Sequence, residues 1–286
     1  IMQFIKPNFK AFTCKCLAAA SLALTASSCT LSEPDSINGN GTSGQLQSIS
    51  FMGQQAVYMK YDGQGRVTEV AMPFHDTKIK DSYNPLHMLI EEYDSYEVGD
   101  EGYEYRRYST LDWKNICTNA AGNITSADVT ETIYHYDWYD PSTGQSVKEY
   151  TEVDNYRHIL RYDSEEHLIF ISDAEQEKDS EYKWVDGCMV SGNNTNEEYF
   201  TCEYSDVPNV TGQWTPFWGA ASLLQMTGLF GKAPEKMISA IRSGNDYNTY
   251  QNIYFSYKLN DKGQISVMKY NDSSDDITMS MVFTYK

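Results

Sequence analysis

Alternation of apolar and polar residues with a period of two dominates the chain from residue 46 onward. In residues 58–70, one alternating segment leads through Asp62, Gly63 and Gly65 into a second alternating segment, and residues 257–267 repeat this plan. Asp and Asn tolerate the positive φ angles of tight turns, and Gly adopts them without steric cost. Each unit is therefore predicted to be a β-hairpin.

Looser copies of this hairpin occur at 117–124, 160–170 and 182–190, and further alternating segments cover 129–136, 147–153 and 277–285. Together they predict a mainly β domain, an antiparallel meander of about ten to fourteen strands joined in sequential order. A sheet with so many strands must twist and either close or split. We therefore expect the sheet to be curled or closed into a barrel-like form.

Two neighbouring segments break the alternation and are predicted to be short helices near 217–242. Residues 217–230 are apolar nearly all round, which favours burial against the sheet or at one end of it. Residues 234–242 begin with Pro and carry apolar residues at helical spacing. A third segment fits either a strand or a helix that begins at Asn84-Pro85 and has four apolar residues on one face, Leu86, Leu89, Ile90 and Tyr93.

The first 28 residues have the pattern of a secretory signal. Lysines without acids precede an apolar run, 17–28, that is too short for the roughly 20 residues of a membrane-spanning helix. Small residues then stand directly before Cys29, which resembles the lipobox of bacterial lipoproteins. The resemblance implies cleavage before Cys29, a diacylglycerol on its thiol and anchoring in the outer membrane. The alternative is ordinary cleavage near Ser28, with Cys29 playing no part.

Residues 29–45 are rich in Ser, Gly and Asn and are predicted to be a flexible tether before a single β-rich domain, 46–286. Within the tether, Asp35-Ser36-Ile37 resembles the O-glycosylation sequon of exported Bacteroidota proteins. Ser36 is therefore a candidate glycosylation site.

Composition excludes some classes of partner. Apolar residues form 41% of the 286 residues, which is enough for a core, whereas 22 Lys and Arg against 40 Asp and Glu give a net charge of −18. A partner recognised through phosphate charge would meet a repulsive field. We therefore expect no nucleic acid partner, and contact with the membrane only through the lipid on Cys29.

Three cysteines follow the tether, Cys117, Cys188 and Cys202, and an exported protein tends to pair its thiols. Cys188 and Cys202 fall on consecutive predicted strands around the polar turn 192–196, and each lies seven residues from position 195. Directly opposed residues of an antiparallel pair come within disulfide reach, so a Cys188–Cys202 bond is predicted. The alternative is that both are buried thiols.

No motif in the chain carries recognisable chemistry. The five histidines lack the spacing of metal ligands, and the G-x-S-x-G turn of serine hydrolases is absent. The acidic stretch 91–101 lacks the regular Asp spacing of an EF-hand and is interpreted as a solvated loop. We expect no metal, no cofactor and no enzymatic activity.

Aromatic residues are the strongest compositional signal, at 14% of the chain with 23 tyrosines. Tyr134, Tyr136 and Trp138 share one face of a predicted strand, while Tyr103 and Tyr105 share another. Aromatic rings with a polar group suit stacking on sugars or binding an amphipathic small molecule. The alternative is that the tyrosines pair across strands and fill the interior of the sheet.

The Tyr-Asp turns resemble the YD hairpin units of Rhs-type proteins. The C-terminal third also resembles a family of Bacteroidota lipoproteins that have no assigned activity and are described as having a porin-like fold. The residues that carry this second resemblance are the apolar segment 217–230 and the stretches 203–206, 214–218, 257–267 and 283–285. It implies a fold and an envelope location, and no activity.

The expected function is that of an exported, lipid-anchored envelope protein that binds a glycan or an amphipathic small molecule without catalysis. The alternative is a structural or assembly lipoprotein that contacts another envelope protein, and an open edge strand would favour it. An integral membrane barrel is disfavoured, because alternate strand positions carry Asp, Glu or Lys where lipid requires an apolar band.

Overall fold

The computed structural model describes the β-rich part of the chain with gaps. The described residues are 44–73, 77–98, 103–140, 145–147, 150–172, 179–193, 199–209, 224, 226–244, 251–272 and 277–286.

The described residues form seventeen strands. They are β1 (Leu46–Phe51), β2 (Gln54–Tyr61), β3 (Val67–Met72), β4 (Thr77–Tyr83), β5 (Leu86–Val98), β6 (Tyr103–Thr118), β7 (Ile124–Asp140), β8 (Gln145–Val147), β9 (Tyr150–Tyr162), β10 (Leu168–Ile171), β11 (Ser180–Val185), β12 (Cys188–Asn193), β13 (Tyr199–Pro208), β14 (Lys236–Gly244), β15 (Gln251–Leu259), β16 (Ile265–Asp272) and β17 (Ile277–Tyr285).

Sixteen of these strands close an antiparallel barrel. Strands follow one another in chain order around the ring, except that β9 pairs with β7 while the short β8 pairs with β7 beyond it. The ring closes where β17 pairs with β1, from Leu46 opposite Tyr285 to Phe51 opposite Met281. The mainly β, antiparallel and sequential architecture is therefore confirmed, whereas the expected count of about ten to fourteen strands was too low.

Among the described residues, the helix predicted over 234–242 is not formed. Residues 236–244 form β14, and residues 86–98 form β5, which also takes up most of the acidic stretch interpreted as a loop. Of the first predicted helix, residues 217–223 and 225 lie outside the described part, Leu224 and Met226 are helical, and Thr227 and Gly228 form a turn. The helix prediction for 234–242 rested on a short apolar run, which periodicity alone assigns poorly. For the segment after Asn84-Pro85, the strand alternative is the one observed.

Four hairpin turns share one hydrogen-bond pattern, and all lie at the same end of the barrel, called here the turn end. In each, an Asp or Asn side-chain oxygen accepts from the backbone N–H groups two and four residues later, at 2.9–3.0 Å. The four side chains are those of Asp62, Asn119, Asp163 and Asn260. The hairpins predicted from these turns are confirmed.

The third residue after each capping side chain has a positive φ. It is glycine in three turns, and in the fourth it is Glu166 with φ 70°. The Glu166 carboxylate accepts hydrogen bonds from the side-chain amides of Asn119 at 2.6 Å and Asn123 at 2.7 Å. These charge-assisted bonds offset the backbone strain of a non-glycine residue at this position.

Many tyrosines have a structural role at the turn end. Five of them donate their hydroxyl to a backbone carbonyl of the preceding strand in the ring, at 2.6–2.8 Å. The pairs are Tyr61 with Leu46, Tyr83 with Val67, Tyr162 with Ile124, Tyr204 with Met189, and Tyr257 with Ile238. Burial raises the pKa of the last four phenols above the ordinary value, so they stay protonated donors.

The segment 226–235 closes the turn end of the barrel. Its backbone bonds three hairpins: the N–H of Ile124 donates to the carbonyl of Leu229, Lys232 donates to Glu166, and Glu235 donates to Gly187, at 2.9–3.0 Å. Its apolar side chains point into the barrel and are fully buried: Met226, Leu229 and Phe230. The expected burial of this apolar stretch at one end of the sheet is confirmed for these residues.

Most described inward positions of the barrel are apolar, and many outward positions carry charged side chains. Inward positions form one apolar cluster that extends from β1 round to β17. Outward positions carry ion pairs between neighbouring strands, among them Lys60 with Glu69 at 2.9 Å and Arg157 with Asp128 at 2.7 Å. Such pairs are typical of a surface in contact with water.

The barrel has one high wall. β5, β6, β7 and β9 are 13 to 17 residues long, whereas β10 has only four residues. β9 therefore pairs with β7 from Tyr150 to Ile159, but with β10 only at Leu160, Arg161 and Tyr162. Residues 150–158 form the part of β9 farther from the turn end and are called here its upper part. Within the described residues, this upper part pairs with β7 on one side and with no strand on the other.

The predicted disulfide is not formed in this structure. Cys117, Cys188 and Cys202 are free thiols, the last two buried. β12 continues to Asn193, which pairs with Tyr199, and this register continued puts Cys202 opposite Val190 instead of Cys188. Burial raises the pKa of the Cys202 thiol to about 12, which keeps it protonated and unreactive. The alternative of two buried thiols is the one observed.

Candidate functional site

A shallow groove lies on the outer surface of the barrel, where β9, β10 and β11 meet. Its volume is about 490 Å³. Three aromatic residues, four charged residues and one isoleucine line it: Arg161, Asp163, Ile169, Phe170, Glu181, Tyr182, Lys183 and Trp184.

A bulge in β10 positions side chains of the groove. A bulge between Leu168 and Phe170 sets Phe170 opposite Arg161 on β9, and Phe170 also pairs with Glu181 on β11. The Arg161 guanidinium lies 4.4 Å from the centroid of the Phe170 ring, a cation–π contact that holds both side chains in place. The floor of the groove is therefore ordered without a ligand.

A second stacked pair forms the end of the groove nearer the turn end. The His167 ring lies parallel to the Trp184 ring with centroids 4.3 Å apart, and Trp184 Nε1–H donates to the carbonyl of Leu168 at 2.8 Å. His167 Nδ1 lies 3.0 Å from Asp163 Oδ2. Trp184 is thereby fixed as a rigid edge of the groove.

Asp163 is ionised at neutral pH. Partial burial alone would raise the pKa of its carboxyl, but the hydrogen bonds from the backbone and ring of His167 and the backbone of Glu165 outweigh burial and hold the pKa below the ordinary value. The groove thus presents fixed charges of both signs beside aromatic rings. This combination suits a neutral or zwitterionic polar ring, such as a sugar, better than an apolar compound.

The five aromatics singled out from the sequence lie on the high wall. Tyr134 is 38% exposed and stacks on Tyr108 with ring centroids 5.7 Å apart. The side chains of the other four lie outside the described residues, although their backbones are paired: Tyr136 with Arg106, Trp138 with Val147, Tyr105 with Tyr96, and Tyr103 with Val98. Tyr103 and Tyr105 occupy the strand positions that alternate with Tyr108, so the register does not unite the five in one row.

The barrel interior holds buried acids that the sequence did not single out. Asp81, Glu92 and Glu131 lie on inward positions, with Glu131 only 1% exposed. Both carboxylate oxygens of Asp81 are buried without a hydrogen-bond partner in the described part of the chain, and burial raises the pKa of this carboxyl to about 7. The sequence contained a signal for the burial of Asp81, because on β4 it occupies the same face as Ile79, two residues earlier.

The interior histidine is uncharged. His158 is buried between the rings of Trp113 and Tyr156, at centroid distances of 5.0 and 4.9 Å. Loss of hydration lowers the pKa of His158 to about 4, although its Nδ1 lies 3.1 Å from the carbonyl of Ser172. Among the described residues no group of three or more His, Cys, Asp or Glu side chains is arranged to hold a metal ion.

The predicted lipidation site Cys29 and glycosylation site Ser36 lie outside the described residues. No helix in the described part of the chain is long and apolar enough to cross a membrane.

Comparison with known proteins gives likenesses of fold only. No family model matches the chain, and no curated protein matches it. One similar solved structure is a porin-like protein from Bacteroides uniformis ATCC 8492, with 12% identity over 80% of this chain and 90% of that one and a TM-score of 0.38. Another is a porin-like protein from Bacteroides vulgatus ATCC 8482, with 13% identity over 85% of this chain and 99% of that one and a TM-score of 0.37. Similarity this weak supports no functional argument, and the resemblance to YD units stays a prediction.

Proposed function

We propose that this protein is an exported, lipid-anchored envelope protein whose barrel binds a glycan, without catalysis, in the groove between β9 and β11. The observation that supports this is the groove itself, in which a preformed cation–π pair and a preformed His–Trp stack stand beside three further charged side chains. Its volume of about 490 Å³ falls within the roughly 300 to 1,000 Å³ of typical small-molecule sites.

The charged outer surface favours a barrel that lies in water next to the membrane over one that spans the lipid. A barrel that spans lipid needs an apolar outer band, whereas the outward positions here carry inter-strand ion pairs such as Arg242 with Glu203. Most of the described inward positions are apolar, unlike those that line a water-filled pore. Attachment through a lipid on Cys29, by way of the tether 29–45, fits this arrangement.

The glycan site is tested by two matched aromatic substitutions. A glycan array on the full-length protein supplies the ligand, and isothermal titration calorimetry then measures its affinity for Phe170→Ala and Tyr134→Ala. Phe170→Ala is expected to weaken binding at least about tenfold, which corresponds to about 1.4 kcal/mol, because it removes one stacking ring and releases Arg161. Tyr134→Ala is the control and leaves the affinity unchanged.

The opposite pattern, loss of affinity in Tyr134→Ala alone, would move the site to the high wall. An array without any bound glycan would remove the proposal altogether. Thermal unfolding of both variants verifies that a loss of binding does not reflect a loss of fold.

Replacement of the anchor cysteine tests the membrane attachment. Cys29→Ala is expected to release the protein from the membrane fraction, because no other part of the proposal attaches it there, while the barrel stays folded. Fractionation after a high-salt wash and labelling with a palmitate analogue measure the effect, with Cys117→Ala as the matched cysteine control. Retention of Cys29→Ala in the washed membranes contradicts the lipid anchor.

The second candidate function is that of a structural or assembly protein in contact with another envelope protein. The one-sided pairing of the upper part of β9 is the observation that favours it. The two functions do not exclude each other, because the groove involves the lower part of β9 and the edge its upper part.

A further inference from the structure

The upper part of β9 is an open strand edge within the described residues. Its pairing with β7 is continuous, from Ile159 opposite Ser126 to Tyr150 opposite His135. On the other side, the last backbone bond is the one from Ser172 N–H to the carbonyl of Ile159 at 2.9 Å. Beyond Ile159 no described strand covers β9.

The backbone groups on this edge are oriented for pairing. Ile159 directs both its carbonyl and its N–H, which donates to Ser172 Oγ at 2.8 Å, away from β7. Backbone groups alternate along a strand, so every second residue before Ile159 directs its N–H and carbonyl the same way. These residues are Thr151, Val153, Asn155 and Arg157, and all four are exposed.

The side chains of the edge define what could pair with it. Glu152 and Asp154 stand on the inner face of the wall, both exposed, and residues 151–155 contain no cation. On the neighbouring strand β7, His135 Nε2 lies 3.5 Å from Glu152 Oε2. Between them Val153 is 55% exposed on the outer face. Inward-pointing acids oppose pairing with an apolar or acidic strand, because like charges directly opposite each other are destabilising. A second copy of this chain would bring such acids together.

We propose that the edge of β9 between Thr151 and Arg157 accepts an extended basic segment of a partner protein as an added strand. Main-chain hydrogen bonds to the four outward-directed residues hold the segment, and lysine or arginine at alternate positions lies against Glu152 and Asp154. This proposal goes beyond the second candidate function, assembly with another envelope protein, because it states the kind of partner segment that would bind. It is independent of the groove, so the absence of glycan binding leaves it standing.

The test uses a fluorescently labelled seven-residue peptide, TKVKTKV, and the full-length protein. The peptide is expected to bind and to slow hydrogen exchange at the amides of Thr151, Val153, Asn155 and Arg157. A double variant with Glu152→Lys and Asp154→Lys is expected to bind this peptide at least about tenfold more weakly and to gain affinity for the acidic peptide TEVETEV. The control, Asp206→Lys on β13 with Asp261→Lys in the turn after β15, has the same change of charge at exposed sites away from β9 and binds like the parent.

Several results would overturn the proposal. Binding without slower exchange at the four amides, or equal weakening in the control variant, shows non-specific attraction between charges. Slow exchange at these amides in the free protein shows that the chain covers its own edge. Sedimentation as a dimer with the same four amides protected shows that a second copy occupies it.

Discussion

Asp81→Asn is expected to stabilise the barrel at pH 8 by up to about 4 kcal/mol and to leave its stability at pH 4 unchanged. The carboxyl is buried without a hydrogen-bond partner among the described residues, and its pKa is raised from 3.8 to about 7. Each pKa unit corresponds to about 1.4 kcal/mol between folded and unfolded states. An amide has nearly the same shape as the protonated acid and never ionises, so the variant escapes this cost.

The pH window follows from the sign of the shift. Below about pH 4 the Asp81 carboxyl is protonated in both states and costs nothing, and between about pH 4 and 7 the unfolded state releases its proton first. The stability contributed by Asp81 is therefore lost as the pH rises through this range. Urea unfolding at pH 4, 6 and 8 measures it, with Asp206→Asn as the exposed control. A gain that is the same at all three pH values contradicts a raised pKa.

Phe230→Ala is expected to destabilise the protein by about 3 to 5 kcal/mol. Phe230 is 2% exposed, and its ring packs edge-on against Trp113 with centroids 5.9 Å apart. Removal of the ring leaves a cavity under the closing segment 226–235, whose three backbone bonds keep it from collapsing into the space. Denaturant unfolding of the variant measures the loss.

Phe170→Ala is the matched control for Phe230→Ala. It deletes the same ring from the outer surface, where Phe170 is only half-buried, and is expected to destabilise the barrel much less. Equal stabilities of the two variants would show that the closing segment does not contribute to the core.

The turns were predictable from sequence because their chemistry is local. Asp62, Asn119, Asp163 and Asn260 each cap backbone groups within four residues, so the signal and its structural effect share one short stretch of chain. The sequence also indicated that tyrosines could have a structural role between strands. It did not indicate which carbonyl each tyrosine hydroxyl bonds, because that carbonyl lies on another strand.

The helix and disulfide predictions were wrong where the same local sequence pattern fits two structures. β14 buries Met237, Ile238, Ala240 and Ile241, on both of its faces, and this spacing matches a helix as well as a strand covered on two sides. The disulfide prediction failed because the turn is centred one residue later than expected, which moves the pairing of Cys202 by two residues.

The groove combines residues of three consecutive strands and depends on one irregularity. Arg161 and Phe170 lie in a single predicted hairpin, but only the bulge at Ile169 sets them opposite each other. Lys183 and Trp184 come from the next strand, β11. The bulge has no strong sequence signal, so the aromatic count suggested a ligand site without locating it.

The seam between β1 and β17 makes the order of folding asymmetric. Most neighbours in the ring are joined by a short turn and can pair as soon as both strands exist, whereas Leu46 must find Tyr285 across almost the whole domain. The entropy lost in closing a loop grows with its length, and contacts between distant residues form slowly. Until the seam forms, β1 and β17 each offer an unpaired edge to other chains. A chain of this design therefore depends on β17 for protection against aggregation as much as for stability.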